Sequence, residues 1–135
     1  MASTIDTLTV DCADPALVSA FWCEVLGYVV RESDQDSTWI QNPSGAGPDI
    51  LFMIVPEPKT LKNRWHLDLT PPETMRAEVD RVRGLGATVF AEMRLDETFW
   101  TIMRDPEGNE FCILRGPVDR ALQAEASAAA EVETT

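Results

Sequence analysis

The chain holds a single histidine, His66, and an aspartate two residues on, Asp68, within Arg64–Thr70, where apolar and polar residues alternate. Alternation of period two reads as a strand, so both side chains stand on one face, about 6.6 Å apart along it. That spacing does not by itself bring them into contact. Imidazole titrates near neutral pH and is the usual side chain for moving a proton or holding a metal. His66 is therefore the candidate catalytic acid or base, with Asp68 placed to tune it. The competing reading is a histidine hydrogen-bonded within a half-polar sheet. Cys112, set between Phe111 and Ile113, reads first as a buried, inert thiol. Its alternative is a nucleophile–base pair with His66, or half of a zinc site.

A second polar row, Thr7, Thr9 and Asp11, runs through Thr4–Cys12. Its members can hydrogen-bond a ligand, although Asp11 can equally serve the turn that follows. Trp39, Phe52, Phe99, Trp100 and Met103 fall in strand segments that alternate between a ligand face and a core face. Those on the ligand face would suit a flat, moderately apolar organic molecule.

The elements that must position these residues recur in order. After the first strand, Asp14 as N-cap and Pro15 at the first helical position open a helix striped by Leu17, Phe21 and Val25 and ended by Gly27. Strands follow at 28–31, 38–41 and 50–55, the last two joined by the turn at 42–48. The second half repeats this: a strand at Arg64–Thr70, then a helix with Thr70 and Glu73 as a capping box and closed by Leu85-Gly86. Strands at 88–92, 99–103 and 110–114 complete it, with Asp105-Pro106-Glu107-Gly108-Asn109 as a tight turn. A shift of 59 residues places Leu26-Gly27 on Leu85-Gly86, Leu8 on Leu67 and Thr7 on His66. Two matched βαβββ modules, about 4–56 and 63–116, make an α+β domain over 1–116. The acidic Ala/Glu-rich tail, 117–135, reads as a helix near 119–126 that frays into disorder.

Composition bounds the partners. A length of 135 residues suits one domain, and 44% hydrophobic with 25% charged residues is ordinary for a globular chain. No apolar run approaches the roughly 20 residues of a membrane helix, and the N-terminus carries no secretory pattern, which points to a cytoplasmic protein. A net charge of −12 argues against nucleic acid. The lysines and arginines are scattered except around Lys59, Lys62, Arg64 and around Arg81, Arg83, and the first group could front an anionic ligand. Three cysteines without CxxC spacing read as reduced thiols.

The order Asp14-Pro15, Phe21-Trp22, Val25-Leu26-Gly27, Val55-Pro56-Glu57, Lys62 to Leu69, Leu85-Gly86-Ala87 and Asp105 to Cys112 resembles the vicinal oxygen chelate superfamily, in its glyoxalase-like and bleomycin-resistance branch. The resemblance implies two modules curled as half-barrels around one cavity, with helices outside. It also implies metal ligands on the first and last strand of each module. Here those positions are Thr7, Phe52 or Met53, His66 and Cys112, whereas the family's set is two histidines with one or two glutamates. Only His66 is an ordinary ligand, so no cofactor is expected and a divalent metal, if held, would use His66 and Cys112. The implied function is capture of a small organic molecule. The alternative is a glyoxalase-like lyase, isomerase or epimerase using His66. A homodimer is implied as well, with Trp22 or Trp100 as an outward aromatic at its interface.

Overall fold

The computed structural model describes residues 1–133, which fall into two compact units. The first comprises Met1–Lys62 with Asp105–Asn109, the second Asn63–Arg104 with the chain from Glu110 onward. Each contains one four-stranded mixed sheet. The architecture is α+β, with a βαβββ order in each half.

In the first unit β1 (Thr7–Cys12) leads to α1 (Pro15–Leu26), then β2 (Val29–Ser33), β3 (Ser37–Gln41) and β4 (Asp49–Ile54). The sheet order is β1-β4-β3-β2, with β1 parallel to β4 and the other pairs antiparallel. The helix starts and stops where local chemistry requires. The Asp14 carboxylate accepts from the Leu17 N–H at 3.1 Å, Pro15 occupies the first turn, and Gly27 adopts φ +71°, a left-handed conformation that favours glycine. Val18, Phe21, Trp22 and Val25 on the helix, with Thr38, Ile40, Ile50 and Phe52 from the sheet, are buried.

The Asp105–Asn109 segment does more than turn the chain. One Asp105 oxygen accepts from the Glu107 and Asn109 N–H groups, and the other from Trp22 Nε1 at 3.0 Å. The two Glu107 oxygens accept from the Ala13 and Asp14 N–H groups at 2.7 Å each. These donors lie at the mouth of α1, where backbone N–H groups lack helical partners and a negative charge meets the positive end of the helix dipole. Trp22 is thus buried and hydrogen-bonded, and the expectation of an outward aromatic there is corrected.

In the second unit β5 (Asp68–Leu69) precedes α2 (Met75–Gly84), β6 (Thr88–Leu95), β7 (Thr98–Arg104) and β8 (Glu110–Ile113), with sheet order β5-β8-β7-β6. The strand expected over Arg64–Thr70 pairs over only two residues. The helix is capped by Thr74, whose hydroxyl accepts from Ala77 N–H at 3.1 Å, and not by a Thr70–Glu73 box. Two prolines and Glu73 separate Thr70 from the first helical turn, so its side chain lies too early to cap it. Val82, Met103, Phe111 and Ile113 are buried, and Thr101 Oγ1 reaches Met75 Sδ at 3.4 Å, which sets this row of the sheet against α2.

The tail forms α3 (Pro117–Glu133), a continuous helix and not a short frayed one. Asp119 fastens its start, accepting from Gly116 N–H at 2.9 Å and from Met75 N–H at 2.7 Å. Beyond that, alanine-rich helix propensity sustains it, since none of its described residues is buried. Residues 134–135 lie outside the described chain. No helix among the described residues is long and apolar enough to cross a membrane.

Candidate functional site

His66 stands two residues before the paired part of β5, free of the strict pleat, and its side chain turns along the chain. Nε2 meets Asp68 Oδ1 at 3.2 Å, with the two side chains 41% and 52% exposed. Asp68 is opposite Cys112 in the parallel pairing of β5 with β8, and Leu69 is opposite Ile113. The Cys112 N–H donates to Leu67 O at 2.8 Å and the Leu114 N–H to Leu69 O at 2.9 Å, which fixes that register. One donor atom from each of His66, Asp68 and Cys112 lies within 4.8 Å of the others. Cys112 is buried; the other two are open to solvent. The fold therefore joins an imidazole, a carboxylate and a thiol on one sheet face. Asp68 is the member whose contact the strand spacing did not assure.

The register of β8 with β7 sets Ile102 beside Cys112, and that of β7 with β6 sets Ala91 beside Ile102 and Met93 beside Trp100. Trp100, Ile102 and Met93 thus continue the face that carries Asp68 and Cys112, giving it an apolar flank. Trp100 also lines an open groove of about 500 Å³ beside α2, together with Met75, Val79 and Phe99. Met103 is on the opposite row, fully buried toward α2, because residues one apart on a strand point to opposite faces. Its expected role at the ligand face is corrected to core. Phe52, 1% exposed and in register with Val10 and Thr38, is likewise core.

In the first unit Thr7, Thr9 and Asp11 share a face with Asp49, Leu51 and Met53, and Trp39 is opposite Leu51. Trp39 is committed to neighbours: Nε1 donates to Asp49 at 3.1 Å, and the Arg31 guanidinium, 3.0 Å from Asp49, stacks 4.6 Å from its ring centroid. Thr7 donates to Asp6 at 2.6 Å. Cys12, at the end of β1, has its thiol pushed up to about 11 by burial first, then by the charges of Glu107, Asp14, Asp11 and Asp105. It is a thiol held protonated, and no disulfide occurs among the described residues. Trp65, 87% exposed beside His66, was not singled out by sequence, since an exposed indole leaves no periodic signal.

A family model described as a glyoxalase-like domain matches residues 7–114. The chain belongs to that family. Solved structures agree on the fold of this glyoxalase-like protein. A fosfomycin resistance protein from Listeria monocytogenes, crystallised with Mn(II) and sulfate, superposes with TM-score 0.70 at 17% identity, covering 93% of this chain and 99% of that one. A glyoxalase/bleomycin resistance protein/dioxygenase family enzyme from Burkholderia phytofirmans gives 0.66 at 19%, covering 82% and 97%. The oxidase ChaP-H2 gives 0.59 at 16%, covering 87% and 96%. No curated protein matches the sequence. These likenesses support the vicinal oxygen chelate superfamily and its fold, on which several chemistries occur.

The metal set implied by the superfamily can be tested against the registers. Thr9 is opposite Leu51 as Asp68 is opposite Cys112, so the first-unit counterpart of Cys112 is Leu51, and neither Phe52 nor Met53. A glyoxalase-like set of two histidines and carboxylates would therefore fall on Thr7, Leu51, His66 and Cys112. Leucine offers no donor and a neutral threonine hydroxyl is a poor one. That four-ligand set does not fit this chain.

Proposed function

We propose that this glyoxalase-like protein captures a small organic molecule against the face formed by His66, Asp68 and Cys112. The observation that carries the proposal is the 3.2 Å contact between His66 Nε2 and Asp68 Oδ1. It holds a half-exposed imidazole in one orientation on the sheet face that also carries Cys112, Ile102 and Trp100. A polar group aimed over an apolar floor is the usual composition of a small-molecule site. A thermal-shift screen with small aromatic acids and glutathione thioethers tests it. Compounds that stabilise the protein saturably should lose their effect in His66→Ala; full retention would remove His66 from the site.

A second reading is favoured by the same contact. If Asp68 accepts from Nε2–H, the neutral tautomer leaves Nδ1 as the basic nitrogen. A bound carbonyl compound with an acidic C–H near Nδ1 would lose that proton to the imidazole and regain one at a neighbouring carbon, the balance of an isomerase, or on the opposite face of the same carbon, that of an epimerase. Release of a leaving group in place of reprotonation gives a lyase. Deuterium exchange from solvent into such a compound, absent in His66→Ala, distinguishes catalysis from capture alone.

Cytoplasmic location and a homodimer belong to the same proposal. The edge strand β6 exposes Val89, Phe90, Met93 and Leu95, apolar side chains at a sheet edge that support self-association. Light scattering of wild type and Leu95→Asp tests this: a dimer reduced to monomer supports it, and a wild-type monomer at high concentration overturns it.

A further inference from the structure

We infer that the groove between α2 and the β6–β7 pair of the second unit is a binding site for a straight-chain monocarboxylate, separate from the His66 face. The two helices of the duplicated module differ in how far their apolar stripes are covered. α1 buries Val18, Phe21, Trp22 and Val25, whereas α2 buries Val82 and leaves Met75 and Val79 half-buried. The space left over is a groove of about 500 Å³, floored by Met75 and Val79 from the helix and by Val89 and Phe99 from the sheet. Phe99 shares the strand row of Thr101 and the buried Met103, on the α2 side, while Trp100 and Ile102 alternate to the other side. The volume falls within the roughly 300–1,000 Å³ of small-molecule sites. A neighbouring hollow of about 620 Å³ shares Asp80, Arg83 and Val89 with it and reaches Gly84, the last residue of α2. An open trough suits a flexible chain better than a rigid ring, and the Met75 thioether can adapt to one.

Charge selects the ligand's other end. The chain carries 23 Asp and Glu against 11 Lys and Arg. Around the groove that balance reverses: Arg76 and Arg83 on α2 and Arg94 on β6 line it with only two carboxylates, Asp80 and Glu92. None of these three guanidiniums makes an ion pair among the described residues. A locally positive trough on a strongly acidic protein draws an anion. Three positive charges against two negative suit a single carboxylate, and Asp80 and Glu92 would repel a polyanion. The Arg94 guanidinium lies 5.0 Å from the ring centroid of Phe99, its register partner on β7. This sets a forked donor over the apolar floor, where it can meet both oxygens of a carboxylate. The aliphatic chain then lies along Val79, Val89 and Phe99.

The test is calorimetric titration of the full chain with octanoate below its micellar concentration. Octanoate should bind saturably at one equivalent. Acetate, which has the head group without the chain, and octylammonium, which has the chain with the opposite charge, should not. Arg83→Gln and Arg94→Gln, at exposed positions where folding is not at stake, should each weaken octanoate binding by about five- to tenfold, the scale of one lost hydrogen bond to a charged group. Arg94→Lys should recover only part of that loss, since an ammonium lacks the guanidinium fork. A wild-type chain that does not bind octanoate overturns the inference, as does octylammonium binding as tightly as octanoate. Unchanged affinity in both glutamine variants overturns it too, and loss of binding in His66→Ala alone would move the carboxylate to the His66 face. Failure of the aromatic-acid and thioether screen leaves the octanoate titration unaffected, so the two proposals fail separately.

Discussion

Asp68 is the register partner of Cys112 in the second unit, and Thr9 is the register partner of Leu51 in the first. The duplication thus repeats the backbone but not the chemistry. One copy of the strand pair brings a carboxylate and a thiol beside an imidazole; the other brings a hydroxyl beside a leucine.

This asymmetry predicts that the cluster contributes to binding and little to folding. Exposed ion pairs contribute about 0–1 kcal/mol, and both His66 and Asp68 are half exposed. Urea unfolding of His66→Ala and Asp68→Asn should shift stability by less than about 1 kcal/mol. A loss of 3 kcal/mol or more, far beyond that ~1 kcal/mol bound, would make the pair a structural element.

Glu107 predicts the opposite. Its two oxygens accept from Ala13 and Asp14 N–H at 2.7 Å each. Hydrogen bonds to charged groups contribute about 1.5–3 kcal/mol net apiece, less where solvent reaches them. Glu107→Ala should cost about 1–3 kcal/mol in urea unfolding. Glu107→Gln, which keeps one acceptor, should recover part of it. Equal stability of Glu107→Ala and wild type would show that the clasp adds nothing to folding.

Gly116 is required by close approach. A Cβ added there would lie 2.1 Å from the Glu73 carbonyl oxygen, which itself accepts from the Val118 N–H at 3.1 Å. Backbone on both sides leaves no flexible side chain to yield. Gly116→Ala should destabilise by roughly 1–3 kcal/mol, the usual cost of overpacking, and should loosen α3, seen as faster amide exchange from Val118 onward. Undiminished stability would refute the contact.

Cys12 sets a pH dependence. With its pKa raised to about 11, the folded protein keeps this proton through a range where an unfolded thiol, near 9.0, has lost it. The stabilisation is fully present below pH 9.0 and declines as pH rises toward about 11, because the unfolded state binds fewer protons there. Alkylation of Cys12 by iodoacetamide should be slow at pH 8 and accelerate toward pH 11, since the thiolate is the nucleophile. Rapid modification at pH 7 of the folded chain would contradict the shift.

Most of the fold is legible in sequence because its signals are local. Asp14-Pro15 and Gly27 mark both ends of α1, and matched breakers 59 residues apart reveal the repeat. What sequence misses depends on partners distant along the chain. Trp22 reads as an outward aromatic until Asp105, 83 residues away, accepts its indole N–H. Phe52 and Met103 read as ligand-facing until strand register puts them on the core rows. Leu51 replaces Phe52 or Met53 in the comparison because the chain between the paired strands is two residues longer in the second unit, from Asp68 to Cys112, than in the first, from Thr9 to Leu51. Asp68 was visible on the right face, yet its contact with His66 depends on how far the strand pairing extends, which periodicity does not reveal.

The single histidine makes the most direct measurement simple, because the imidazole carbon–proton spectrum contains one residue's signals and needs no assignment. Recorded while small aromatic acids and glutathione thioethers are added, these signals should move saturably with every compound that raises the melting temperature. The response should change in Asp68→Asn. An aromatic acid or thioether that stabilises the protein saturably while the His66 signals stay in place would contradict the account, since its binding site would lie away from the His66–Asp68–Cys112 face.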